Sequence, residues 1–151
     1  MIQAKFVHTN LVAKDWRRLA AFYQRVFDCV PVPPERNYRG RLIEAATGIH
    51  GAELQGVHLR LPGYNDEGPT LEIFQYNKLK SRSSTVVNRP GFGHIAFSVH
   101  NVTAARETVL SNGGRPIGEI VTLETPAGAK VTWTYVTDPE DNIIELQSWA
   151  R

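Results

Sequence analysis

Four residues, His8, Glu72, His94 and Glu145, each sit in a run whose alternation of apolar and polar residues marks a strand. His94 lies in Gly91-Phe92-Gly93-His94-Ile95-Ala96-Phe97-Ser98-Val99. There it shares a face with Phe92, Ala96 and Ser98, while Ile95, Phe97 and Val99 take the other. His8 lies likewise in the strand of residues 2–12. Glu72 shares a face with Phe74 and Tyr76, with Leu71 and Ile73 opposite, and Glu145 lies opposite Ile144 and Leu146. One sheet face is therefore expected to be hydrophobic and the other to carry these four. Two neutral imidazoles and two carboxylates suit a first-row divalent ion such as Zn, Ni, Co, Mn or Fe. Four protein ligands in an octahedral site leave two positions for waters or for two substrate oxygens. A lone strand histidine is usually a hydrogen-bonded structural residue, and a lone strand glutamate usually faces solvent. What argues for a shared site is that the four occupy matched positions in two halves of the chain.

The halves are matched in more than these residues. Each histidine strand is followed, after the same interval, by a residue that can cap a helix: Asp15 after His8 and Asn101 after His94. The first helix is expected over 16–27, where Trp16, Leu19, Ala20, Phe22, Tyr23, Val26 and Phe27 recur at three- and four-residue steps. The second is expected over 102–112, with Val102, Ala105, Val109 and Leu110 inward and Gly113-Gly114 stopping it. Pro31, Pro33 and Pro34 exclude a central strand, and 42–46 reads equally as short helix or ragged strand. Further strands are expected over 54–61, 70–76, 115–125, 130–137 and 143–149, with a tight turn at Asp138-Pro139-Glu140-Asp141-Asn142. Each half reads β-α-β-β-β. The polar stretch 78–89, with Lys78, Lys80, Arg82 and Arg89, reads as a linker between module 1–77 and module 90–151 of a single domain.

The bulk properties narrow the function classes. A formal charge of +2, with Lys and Arg scattered rather than striped, gives no footprint for nucleic acid. Cys29 is the only cysteine, which excludes a disulfide framework and a thiolate zinc cluster. No apolar run approaches the roughly 20 residues of a membrane span, and nothing resembles a signal peptide. A soluble cytoplasmic protein without membrane partners is the expectation.

Other candidates stand beside the four. His58 and Arg60 share one face of their strand and, if the two halves close so that the four residues converge in a trough, can reach it as substrate contacts. Phe74 and Tyr76 are candidate pocket walls, though aromatics there, and at Phe6 and Phe92, are more often core. Glu44 and Glu53 are possible acid/base groups whose direction the sequence does not fix.

The chain resembles the vicinal-oxygen-chelate superfamily, which includes glyoxalase I, methylmalonyl-CoA epimerase, extradiol dioxygenases and bleomycin-resistance proteins. The resemblance covers nearly the whole chain. It is carried by GFGHIAFSV at 91–99 with the following NV and the NGG of 112–114, by YVTDPEDNIIEL at 135–146, and by PTLEIFQYN at 69–77. It implies an α+β fold of paired βαβββ modules forming a half-open β-barrel around a metal. The family ligand positions match His8, Glu72, His94 and Glu145. Glu72 looks like glyoxalase I, where epimerases usually carry Gln and dioxygenases leave the fourth position unfilled. Two departures stand out. Asp141 replaces the glycine usual in the DP-acid-Gly-Asn turn, and Val12 stands where bacterial glyoxalase I enzymes place an Arg for the glutathione carboxylate.

What the resemblance implies is a divalent-metal-dependent lyase or isomerase of the lactoylglutathione lyase type. Its substrate would be a hemithioacetal, converted to a thioester by proton transfer next to a carbonyl through a metal-stabilised enediolate. Glu145 or Glu72 would be the base, with His8 and His94 as neutral ligands. The alternatives are an epimerase acting on an acyl-CoA-like acid, a non-catalytic small-molecule binding or resistance protein, and an iron dioxygenase. Family members are commonly homodimers, and Trp149 near the end of the sequence is a candidate interface residue.

Overall fold

Two successive ladders with the same strand order make up the computed structural model, which describes residues 1–150. The first unit, Met1–Ser81, contains β1 (His8–Val12), α1 (Trp16–Phe27), β2 (Val30–Arg39), α2 (Arg41–Thr47), β3 (Glu53–Arg60) and β4 (Thr70–Tyr76). Its sheet runs β1-β4-β3-β2, with β1 parallel to β4 and the other pairs antiparallel. The second unit, Arg82–Arg151, contains β5 (Ile95–Ser98), α3 (Val102–Ser111), β6 (Arg115–Pro116), β7 (Val121–Glu124), β8 (Lys130–Thr137) and β9 (Ile143–Ala150). Its sheet runs β5-β9-β8-β6, with β7 also on β8 and β5 parallel to β9. First and last strands are thus neighbours in both units, so each histidine strand lies beside its glutamate strand. This is the α+β architecture of paired βαβββ units that the repeat implied.

Both helices start where expected because their caps form. The Asp15 carboxylate accepts from the Arg18 amide at 3.1 Å, and the Asn101 side chain accepts from the Ala104 amide at 2.9 Å. α1 buries Trp16, Leu19, Ala20, Phe22, Tyr23 and Phe27 over β3 and β4, where Val57, Leu59, Leu71 and Ile73 are buried. α3 buries Val102 and Val109 over β8 and β9, with Val136, Ile144 and Leu146 beneath. The helices cover the apolar sheet faces and leave the polar faces to His8, Glu72 and Glu145. No helix among the described residues is long and apolar enough to cross a membrane.

Several elements differ from expectation. The first strand begins at His8, not at residue 2, and β5 begins at Ile95, so His94 sits immediately before its strand. Phe6 and Phe92 are exposed, at 66% and 107%, and neither is core. The expected strand over 115–125 is two strands. Pro116 pairs with Val136 and Val121 with Trp133, a register shift that takes residues 118–120 off the ladder, while the Ile117 amide still donates to the Tyr135 carbonyl at 3.1 Å. The segment 42–46 is helical, inside α2. The prolines of β2 are accommodated because β2 is an edge strand with a register shift between Val32 and Arg36.

The turn before Glu145 is held by one buried carboxylate. Asp138, 1% exposed, accepts from the Glu140 amide at 2.8 Å, the Asn142 amide at 3.0 Å and the Asn142 side chain at 2.7 Å. Asp141 occupies the left-handed region at φ 68°, a conformation a Cβ disfavours by about 1–2 kcal/mol. Its one compensation is an exposed ion pair with Arg115, worth about 0–1 kcal/mol. Asp141→Gly is therefore expected to stabilise the protein by about 0.5–1 kcal/mol in urea unfolding. A loss of stability would show that the Arg115 pair outweighs the backbone strain.

Candidate metal centre

Glu72 is the hub of the first unit's polar face. It lies in the middle of β4 with Asn10 of β1 beside it on one side and His58 of β3 on the other. His8 precedes Asn10 by two positions and so shares its face. The Asn10 amide donates to Glu72 Oε2 at 2.8 Å, and His8 Nε2 lies 3.6 Å from the same oxygen. His58 Nε2 lies 3.0 Å from Oε1, and His58 Nδ1 is 3.2 Å from Thr70 Oγ1. The two imidazoles meet edge to face with ring centres 5.6 Å apart. One ligand atom each from His8, His58 and Glu72 lie within 4.8 Å of one another. Donors bound to a common ion at about 2.1 Å are separated by about 3–4 Å, so this set fits a divalent first-row cation. Burial above all lowers the His58 pKa from its ordinary value. Arg36 and His8 add to that, and Glu72 opposes it. The neutral ring that a metal requires is therefore the one present at pH 7.

The second unit repeats the plan with two exchanges. Glu145 of β9 lies between Ala96 of β5 and Tyr135 of β8. His94 Nε2 is 3.0 Å from Glu145 Oε2, and the His94 ring lies 5.1 Å from Tyr135. Tyr135 thus holds the place that His58 holds in the first unit, and Ala96 that of Asn10. The Tyr135 phenol is pushed up from its usual pKa by burial first, then by the Glu145 charge and a hydrogen bond to that carboxylate. It remains protonated well above neutrality. Trp133 packs edge-on against it with ring centres 5.0 Å apart.

The other candidates separate clearly. His58 is drawn into the carboxylate cluster rather than standing apart from it. Arg60 is ion-paired with Asp66. Phe74 is 8% exposed and stands edge-on to both His58 and Tyr38, walling the cluster from the β2 side. Tyr76 pairs with Leu54 at the far end of β4. Glu44 pairs with His50 at 3.2 Å, away from the cluster, and Glu53 is an exposed residue at the start of β3. Cys29 is buried with its thiol pushed up to about 12, which excludes it as a nucleophile. No atom lies within 4 Å of a Cβ built on Gly91 or Gly93, so no protein backbone approaches closely there.

Asn10, Thr70 and Tyr135 were not singled out from sequence. Tyr135 was within reach of it. The turn at 138–142 fixes the β8–β9 hairpin, and counting outward from Thr137 opposite Ile143 brings Tyr135 opposite Glu145. Thr70 required the register across the long 61–69 loop, which sequence does not supply.

Solved structures show the same fold at low sequence identity. A glyoxalase family protein from Bacillus cereus superposes with a TM-score of 0.74 at 16% identity, covering 100% of this chain and 96% of that one. A glyoxylase/bleomycin resistance protein/dioxygenase domain from Frankia sp. EAN1pec gives 0.56 at 18%, covering 99% and 100%. The genomically encoded fosfomycin resistance protein FosX from Listeria monocytogenes, complexed with Mn(II) and sulfate, gives 0.52 at 17%, covering 98% and 93%. No curated protein matches the sequence. Residues 5–146 match the model of the Glyoxalase/Bleomycin resistance protein/Dioxygenase superfamily, and the chain belongs to that superfamily.

Proposed function

We propose that this protein is a divalent-metal-dependent lyase or isomerase that moves a proton next to a substrate carbonyl. Its metal ligands are His8 and Glu72 in the first unit and His94 and Glu145 in the second. The observation that carries this reading is the matched imidazole–carboxylate pair in each unit, at 3.6 Å and 3.0 Å, on topologically equivalent strands. A bound divalent cation supplies Lewis-acid polarisation of a carbonyl oxygen. The remaining work falls to the chain. Glu145 is the better base, because Glu72 is tied to two imidazoles and an amide while Glu145 faces one imidazole and the Tyr135 phenol. Glu145 takes the proton from the carbon next to the carbonyl and returns it to the neighbouring carbon. The Tyr135 O–H is spent on Glu145 and orients that carboxylate. The FosX structure of the same fold, complexed with Mn(II) and sulfate, supports a metal site on this fold.

The test is turnover by protein loaded in turn with Zn(II), Ni(II), Co(II) and Mn(II). The hemithioacetal of methylglyoxal and glutathione is expected to give thioester. Turnover of methylmalonyl-CoA instead keeps the proton transfer and changes the substrate. No turnover of either, at full metal occupancy, sinks the proposal and leaves a binding protein. A second reading, an iron oxygenase, is favoured by the His8–His58–Glu72 set, since two histidines and a carboxylate suit non-haem Fe(II). Oxygen uptake with Fe(II) and a catechol separates the two.

Metal affinity has a stated pH dependence. Metal binding requires deprotonated ligands, so Zn(II) affinity measured by calorimetry is expected to fall on acidification from pH 7 to pH 5. A flat profile would mean that no histidine is a ligand. His94→Ala is expected to weaken binding by on the order of a hundredfold while leaving the melting temperature unchanged, since His94 lies outside the β5 ladder.

A further inference from the structure

We propose that His58 is itself a metal ligand, so that His8, His58 and Glu72 of the first unit suffice to retain a divalent ion when the donors of the second are removed. The inference rests on the metal reading above and adds a donor that the matched ligand pattern does not contain. Register alone brings His58 to the site, since β3 and β4 pair His58 directly with Glu72. Its Nε2 is closer to the carboxylate, at 3.0 Å, than that of His8, at 3.6 Å, and each imidazole addresses a different oxygen. The three donors converge from three adjacent strands, β1, β3 and β4, onto one face. One donor atom from each lies within 4.8 Å of the other two.

Thr70 makes the ligation chemically feasible. Its Oγ1 lies 3.2 Å from His58 Nδ1, and a hydroxyl both donates and accepts. Without an ion, Thr70 donates to Nδ1 and the Nε2–H of His58 donates to Glu72. With an ion, the ring proton exchanges through water from Nε2 to Nδ1, Nδ1–H donates to Thr70, and the Nε2 lone pair is free to bind. A ligating histidine whose second nitrogen is held by a hydrogen bond is the usual arrangement. The second unit has no counterpart, because Tyr135 fills the equivalent position. Two imidazoles and one carboxylate are a donor set that would suit Fe(II), Co(II), Mn(II) or Zn(II).

Co(II) is the probe, added to the full chain with ring-labelled histidine. Calorimetry gives affinity, and paramagnetically shifted imidazole signals identify ligands. Wild type is expected to show shifted rings for His8, His58 and His94. A chain carrying His94→Ala and Glu145→Ala together is expected to keep one equivalent of Co(II) with His8 and His58 still shifted. Adding His58→Phe should raise the Co(II) dissociation constant by about 30-fold and leave one shifted ring. A wild-type His58 ring without contact shift overturns the proposal, and that spectrum decides even where the Phe variant does not fold. Loss of all Co(II) from the double variant overturns it equally. In both cases the four matched ligands stand. A double variant that binds as tightly as wild type upholds the proposal and instead removes His94 and Glu145 from the ligand set.

Discussion

Glu72→Ala is expected to lower Zn(II) or Co(II) affinity by about a thousandfold, roughly 4 kcal/mol, the largest effect of any single ligand substitution. Glu72 is the one anionic donor in the first unit's cluster, and both of its oxygens are engaged. Removing it leaves the first unit with two neutral imidazoles as its share of the ligands to a dication and strips Asn10 of its acceptor. The fold has little reason to fail. Leu71 and Ile73, 1% and 0% exposed, anchor β4 from the opposite face and are untouched. Thermal unfolding should therefore shift by no more than a few degrees while calorimetric binding collapses. Glu72→Gln is the sharper control. It keeps an acceptor for Asn10 and loses only the charge, so most of the affinity should still be gone. Wild-type affinity in Glu72→Ala would remove the first unit from the metal reading altogether.

Much of this arrangement was legible in the sequence, and the legible parts share a cause. The extent of α1, both helix caps and the whole of β8 follow from signals contained in a few neighbouring residues: Asp15, Asn101, the spacing of Leu19, Phe22 and Tyr23, and the turn at Asp138. What failed depended on a distant partner. Residues 2–7 alternate like a strand, but β4 begins at Thr70, and Pro69 before it has no amide to donate. The ladder therefore stops after the Thr70 amide bonds to the Val7 carbonyl, and Phe6 is left in solvent. Gly91 to Gly93 alternate as well, but β9 first pairs at Ile144 with Ile95, so Phe92 has no neighbour strand. The site follows the same division. His8, Glu72, His94 and Glu145 were visible because the chain repeats their setting. The role of His58 was not, because only the β3–β4 register shows that it faces Glu72 rather than solvent.

That register depends on a residue with no side chain. Gly56→Ala is expected to destabilise the protein by about 3 kcal/mol or more, a fall of about 10 °C in melting temperature. A Cβ at position 56 would sit 2.0 Å from the Ile73 carbonyl oxygen and 2.1 Å from Phe74 Cδ1. The first is backbone on the neighbouring strand and cannot turn aside, so β3 and β4 must separate. The second is the ring that lies across Gly56 and meets His58 at 5.9 Å between centres. Moving either strand displaces His58 from Glu72, two residues along the ladder from the clash. Metal affinity should fall along with stability. Shortening Phe74 in the same chain should not rescue it, because the carbonyl contact remains. Gly93→Ala is the control. It stands beside His94 with nothing within 4 Å of the added methyl, and its cost should stay within about 0.5 kcal/mol. Equal melting temperatures for the two alanine variants would mean that β3 and β4 are not packed as closely as the Gly56 contacts require.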